Sequence, residues 1–152
     1  MSIIIIASDH AAYEMKECLK GYLREKGYTV EDMGAFSSAR ANWPVYGARV
    51  AGLVSQNPDS VRGILLCGSG IGMSIVANKF RSVRAALCRD HHDAELSRRH
   101  NNANILCLGG RSSNEKTILE IVDIWLGTPF DGGRHQERLD ILRETVEEVN
   151  FK

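Results

Sequence analysis

The chain has 152 residues, 43% of them hydrophobic and 25% charged, which is enough for one globular domain with a real core and ordinary for a soluble protein. Lys plus Arg and Asp plus Glu each total 19, so the surplus positive charge that nucleic acid or an anionic membrane would demand is missing. Four widely spaced cysteines (Cys18, Cys67, Cys88 and Cys107) with no secretion signal ahead of them argue against a disulfide framework and for a reducing cytoplasm.

Ile3–Ser8 opens the chain with four consecutive isoleucines. The run is too short for a signal peptide or a membrane span and suits a strand buried on both faces of a parallel sheet. Met15, Cys18, Leu19, Tyr22 and Leu23 then recur at helical spacing until Gly27 stops the helix. Tyr28–Met33 reads as a second strand, and residues 34–44 as a turn-rich stretch. A helix follows through Tyr46, Val50, Leu53 and Val54. Strand three is Gly63–Leu66, strand four Val83–Cys88 and strand five Ile105–Leu108. A helix through Ile118, Ile121, Val122 and Trp125 ends at Gly127-Thr128-Pro129. After Gly132-Gly133 comes an amphipathic tail helix with Leu139, Ile141, Leu142, Val146 and Val149.

Strands alternating with helices imply βαβ units and a five-stranded parallel sheet covered on both faces, a Rossmann-like three-layer αβα sandwich. One domain then spans residues 1–152. Its helical tail, about residues 132–150, follows a completed five-strand unit and is free to pack on a neighbouring subunit.

Ligands of open parallel sheets bind beyond the carboxyl ends of the strands, where strand order reverses. With the order 2-1-3-4-5 the reversal falls between strands one and three, and Asp9-His10 and Cys67 flank one crevice. Cys67 matters most. It stands where the apolar run Ile64-Leu65-Leu66 breaks into Cys67-Gly68-Ser69-Gly70-Ile71-Gly72, with a helical pattern starting directly after. Helix N-termini offer unpaired N–H donors and a positive dipole end, which favour anions, a thiolate among them. A possible base or nucleophile thus stands beside an oxyanion site, although cysteines at strand ends also serve as plain core residues. Cys18, Cys88 and Cys107 lie on apolar stripes or within strands and read as structural.

The loop is GxGxG, so the dinucleotide fingerprint is not met, and no Walker lysine follows. Met73 and Ser74 stand where a cysteine phosphatase would carry its arginine. His91-His92 has no HxxxH or CxxC companion and reads as a solvated helix face, so no metal site is expected. Arg134 and Arg138 stand four apart at the start of the tail helix and share a side of it. Two guanidiniums there call either for an anion such as phosphate or for carboxylates such as Glu137 or Asp131.

Taken together, several stretches resemble the ribose-5-phosphate isomerase B family. They are Ser8-Asp9-His10-Ala11-Ala12, Cys67 to Ile75 with Ala77-Asn78-Lys79, Ser97 to Asn101 with Asn104, Leu108-Gly109-Gly110-Arg111, Trp125-Leu126-Gly127, and Gly132 to Arg138. The matches run in order along nearly the whole chain. The resemblance implies a metal-free, cofactor-free aldose–ketose isomerase acting on a sugar phosphate, in the parent case ribose 5-phosphate and ribulose 5-phosphate. It implies that Cys67 moves the proton between C2 and C1, that Ser69 contacts the C1 and C2 oxygens, and that the N–H groups from Gly68 through Gly70 and Ile71 to Gly72 hold the enediolate. His100 with Asp9 would open the furanose ring and Asn101 would bind sugar hydroxyls. His10, Arg111, Arg134 and Arg138 would grip the phosphate, the last two from a neighbouring subunit, in a homodimer or homotetramer with shared sites.

Some relatives use a Glu six residues after the cysteine position; here that residue is Met73, so Cys67 would act alone. Isomerases of allose 6-phosphate, galactose 6-phosphate or a tetrose phosphate remain alternatives, because the loops around Asp9 and Ala35–Trp43 set sugar length. A silent sugar-phosphate-binding regulator is a third reading, and it would not need Cys67, Ser69 and His100 together.

Overall fold

A computed structural model describes residues 3–151. Five strands form one all-parallel sheet: β1 (Ile3–Ser8), β2 (Val30–Asp32), β3 (Val61–Cys67), β4 (Ala85–Leu87) and β5 (Ile105–Gly109). The spatial order is β2-β1-β3-β5-β4, which corrects the simple order 2-1-3-4-5. Burial explains the exchange. β5 is apolar and buried along its whole length and takes the inner place beside β3, whereas three half-buried residues of β4 are left for the edge. The edge is blunted: Asn78 mimics a strand, its side-chain amide donating to the Ala85 carbonyl and its oxygen accepting the Ala85 N–H, both at 2.9 Å. The reversal between β1 and β3 survives, and with it the crevice expected there.

Alternate residues of each strand feed two cores. Ile4, Ile6, Ile64, Leu66, Leu106 and Leu108 meet α1 (Tyr13–Glu25), α4 (His91–Arg99) and α5 (Glu115–Gly127) on one face. Ile5, Ala7, Leu65, Cys67, Ile105 and Cys107 meet α2 (Trp43–Gln56) and α3 (Ile71–Ala77) on the other. A period of two along strands buried on both sides produces this three-layer sandwich.

The tail begins as α6 (Arg134–Leu142), continues through a wide turn at Arg143–Glu147 and ends in α7 (Glu148–Asn150). Its inner face lies on its own chain: the Glu147 carboxylate accepts the Ser82 N–H at 2.9 Å, and Leu139 and Val146 help to line a groove of about 430 Å³ against β4. Its outer face leaves Ile141 and Val149 more than half exposed.

A buried charge ties α1 to β2. Lys16 is fully buried, and its ammonium donates to both Asp32 oxygens and to the Ala35 carbonyl at 2.7 Å each. The rings of Tyr13 and Phe36 flank it at 5.4 and 5.5 Å. Lys20 adds a 2.6 Å bond to Asp32. Burial works to raise the Asp32 carboxyl, but Lys16, Lys20 and the Gly34 N–H outweigh it and hold it below its usual value. The network anchors the start of the long loop between β2 and α2.

Asp32→Ala should therefore cost about 3–5 kcal/mol in urea unfolding, because it strands a buried ammonium. Lys16→Met should cost less, since charge and partner demand leave together. A lowered Asp32 value means its stabilisation is complete above the ordinary carboxyl range and is lost as pH falls through the folded value, so wild type and Asp32→Ala should converge in acid.

Candidate active site

Three strand ends build a crevice of about 440 Å³, lined by Asp9, His10, Trp43, Cys67, Gly68, Ser69, Ile71, Gly72 and Arg111 among others. Their backbones are laced together. Asp9 N–H donates to the Leu66 carbonyl at 3.2 Å, Gly110 N–H to that of Cys67 at 2.9 Å, and Arg111 N–H to that of Gly68 at 3.0 Å. Ladder pairing sets Cys67 opposite Gly109. The position of each side chain thus follows from the sheet register.

The Cys67 side chain is mostly covered, 5% exposed, yet its sulfur borders the crevice and accepts the Gly70 N–H at 3.1 Å. Gly70 stands at φ +77°, at the N-cap of α3. A side chain there would come within 2.6 Å of Leu87 and 2.9 Å of the Leu108 backbone, so only glycine fits. Ser69 Oγ accepts the Ile71 N–H at 3.2 Å, which leaves its own hydrogen free to donate. The N–H groups of Gly68, Ser69 and Gly72 have no acceptor among the described residues. A thiol therefore sits beside free donors suited to negative oxygen.

Burial pushes Cys107 well above the usual thiol range, with Cys88 and Cys67 adding to it. Burial also drives Cys88 up to about 11, Ser97 opposing and Asp93 and Asp90 reinforcing. Cys18 is raised by burial and by Glu115. All four cysteines are free, and these three stay protonated.

Asp9 is buried and uses Oδ1 to accept the Ala11 N–H at 3.0 Å, which caps the short turn after β1. His10 Nδ1 lies 3.2 Å from both the N–H and the carbonyl of Ala41, so the anchored loop holds this ring in place. Trp43, at the first position of α2, forms a wall against Gly72, where a Cβ would meet the indole at 2.9 Å. In the sequence Trp43 stands out only as the end of the Ala35–Trp43 loop; Pro44 after it marks a helix start but says nothing of the crevice wall.

The remaining predicted residues form a second cluster. His100 caps the C-terminus of α4, Asn101 is exposed and lines the groove beside the tail, and Arg134 and Arg138 are exposed on the first turns of α6. None of the four lines the Cys67 crevice. Neither arginine has a carboxylate partner among the described residues, because Asp131 is bonded to Arg99 at 3.1 Å. The expected salt bridges of that pair to Glu137 or Asp131 are therefore not formed, and both guanidiniums are left open. His91 is exposed and bonded to Glu120 at 2.9 Å, as a solvated helix face should be.

Two further residues escaped the sequence reading. His135, 7% exposed, stacks on His100, and nitrogen or oxygen atoms of His100, Asp131 and His135 lie within 4.8 Å of one another. The imidazole planes are 11° from parallel, so their lone pairs run alongside each other and do not converge on a shared point. Burial first, then His100, Arg134 and Arg138, holds the His135 imidazole below its usual range, against a smaller pull from Asp131. Arg98, itself buried, bonds the carbonyl of Ala103 and the side chain of Asn102 and packs over Trp125, which makes it a brace for the His100–Asn104 turn.

Comparison with known proteins identifies relatives. The sequence profile of the Ribose/Galactose Isomerase family matches residues 4–142. Ribose-5-phosphate isomerase B of Escherichia coli K12 is 40% identical over 142 residues, covering 93% of this chain and 95% of that protein. A solved ribose 5-phosphate isomerase from Thermotoga maritima aligns with TM-score 0.89 at 50% identity, over 94% of this chain and 98% of its own. The Mycoplasma genitalium ribose-5-phosphate isomerase B, solved with bound ribulose-5-phosphate, gives TM-score 0.92 at 39% identity over 96% and 97%.

Gly70→Ala should remove the Sγ bond and misalign the loop donors. Activity should fall about 100-fold or more, as when an oxyanion donor is lost, with a stability cost of about 1–3 kcal/mol in urea unfolding. Activity near wild type would show that the turn does not set the chemistry.

Proposed function

We propose that this chain, which belongs to the Ribose/Galactose Isomerase family, interconverts ribose 5-phosphate and ribulose 5-phosphate through an enediolate. The observation that carries the proposal is Cys67 Sγ held by the Gly70 N–H in a crevice with further unclaimed N–H donors. The substrate's phosphate is gripped by His10, Arg111, Arg134 and Arg138. That remote binding energy fixes the reacting carbons beside Cys67.

The furanose opens first. His100 protonates the ring oxygen, Asp9 takes the proton of the C1 hydroxyl, and the bond from C1 to the ring oxygen breaks to leave an aldehyde, while Asn101 holds sugar hydroxyls. Cys67 as thiolate then removes the C2 proton. The negative charge that develops on O1 and O2 is met by the Ser69 hydroxyl and the unclaimed N–H groups of Gly68, Ser69 and Gly72, each such donor being worth about 3–4 kcal/mol. The Gly70 and Ile71 N–H groups, expected among these donors, instead hold the Cys67 sulfur and the Ser69 oxygen. A proton passes from O2 to O1 by way of the Ser69 hydroxyl, the proton held on sulfur is delivered to C1, and C2 is left as the carbonyl of the ketose.

These two clusters lie apart on one chain, so a second copy completes each site. His100, Asn101, Arg134 and Arg138 of one copy meet Cys67 of the other. Exposed Phe36, Val45, Ile71 and Ile75 lie on or beside the elements that rim the crevice and supply an apolar contact surface for that copy. Ile141 and Val149 on the outer face of the tail offer a second surface. Among the described residues no helix is long and apolar enough to cross a membrane, and we assign the enzyme to the cytoplasm.

Two measurements test this. kcat/KM for ribose 5-phosphate should exceed that for allose 6-phosphate; the reverse order would reassign the substrate. Cys67→Ala and His100→Asn should each be inactive alone. Mixed after dissociation, they should regain about a quarter of wild-type activity, since random pairing makes half the pairs hybrid with one intact site of two. No recovery in demonstrably mixed assemblies would place both residues in a site on one chain.

A further inference from the structure

His135 has no part in the chemistry above, yet its side chain is 7% exposed while its neighbours Arg134 and Arg138 lie open. Its ring lies flat on that of His100, centroids 4.2 Å apart and planes 11° from parallel. His100 sits just past the last turn of α4, where its backbone N–H donates to the Leu96 carbonyl at 2.9 Å. Among the described residues no side-chain hydrogen bond holds its imidazole. The stack is therefore what sets the ring's tilt.

His135 is itself well anchored. Its N–H donates to the Gly132 carbonyl at 3.1 Å, within a turn whose two glycines take φ +66° and +56°. Asp131 opens that turn and ties it to α4, its N–H donating to the Arg99 carbonyl at 3.0 Å and its carboxylate accepting Arg99 Nε at 3.1 Å. The start of α6 is thus fastened to the end of α4, and one ring is pressed onto the other.

We propose that His135 is a positioning residue for ring opening, its buried ring fixing the plane of the His100 imidazole. An imidazole N–H lies in the ring plane, so the tilt of the ring decides where the proton points, and an acid must meet the ring oxygen within hydrogen-bond reach. A face-to-face partner constrains tilt without competing for either nitrogen of His100. His135 suits this place because burial and its cationic neighbours favour its neutral form, and two imidazolium rings would repel. The proposal rests on the reading of His100 as the ring-opening acid.

The test exploits a difference between the two substrates. Ribulose 5-phosphate carries its phosphate on the oxygen that would close a five-membered ring on C2, so it stays open. Exchange of its C1 proton with deuterated solvent needs only Cys67, whereas turnover of ribose 5-phosphate also needs ring opening. His135→Ala should lower kcat on ribose 5-phosphate roughly tenfold or more, the scale of a misplaced catalytic group, and leave KM and exchange into ribulose 5-phosphate close to wild type. His135→Phe, which keeps a flat ring, should restore most of the lost kcat.

Equal losses in both reactions would overturn the proposal in favour of a general structural role. A raised KM with unchanged kcat would overturn it in favour of phosphate binding. His100→Asn in the same two assays separates the layers. If it spares ribose 5-phosphate turnover, the ring-opening reading fails and the proposal with it; if it blocks turnover while His135→Ala does not, only the positioning role fails.

Discussion

The turn that ends β3 has to bring a sulfur atom, a left-handed glycine and a helix N-terminus into one place. The backbone at Gly70 passes so close to Leu108 that no side chain fits, and this closeness aims its N–H at Cys67 Sγ. Gly110 and Arg111 bond back to Cys67 and Gly68, so β5 holds the turn from the other side. The geometry comes from pairing β3 with β5. Had β4 taken the inner place, the arginine of the β5 loop would not reach the crevice.

The same sheet order sends the second half of the chemistry elsewhere. His100 ends α4, which packs on the opposite face of the sheet from α3, and the start of α6, with its arginines, is tied to that end of α4 by the His135–His100 stack. Within one copy, His100, Asn101, Arg134 and Arg138 therefore do not line the crevice that holds Cys67. Assembly and activity become a single event under the proposed reading: a lone chain would fold, and its thiolate would have no ring-opening partner. The open guanidiniums of Arg134 and Arg138 fit this view, since neither pairs with a carboxylate among the described residues and Asp131 is committed to Arg99.

Much of the fold was legible because strands buried on both faces announce themselves as unbroken apolar runs; Ile3–Ile6, Ile64–Leu66 and Ile105–Leu108 could hardly be anything else. Gly27, at φ +87°, marks the end of α1 as its residue type promised. Strand order was less legible, because burial along β5 and exposure of β4 depend on neighbours that periodicity along one element does not record. Lys16 makes the same point. On the helical wheel it is one more polar residue, and only the arrival of Asp32 sixteen residues later makes its burial tolerable.

Part of the crevice half of the site could be anticipated from strand ends alone: Asp9, His10 and Cys67 follow from the rule that ligands bind at carboxyl edges, whereas Arg111 reaches it because β5, not β4, lies beside β3. Trp43 and His135 could not. Their contributions come from contact with residues far along the chain, Gly72 and His100, and neither contact leaves a spacing pattern.

The central claim is that a single sulfur carries the proton between two sugar carbons. Deuterium incorporation at C1 of ribulose 5-phosphate, followed by NMR in deuterated buffer with Cys67→Ala, tests it most directly. The account predicts that the variant still binds the sugar phosphate, assembles as wild type does, and exchanges no faster than the uncatalysed rate. Exchange at the wild-type rate would contradict it and hand the proton to another group.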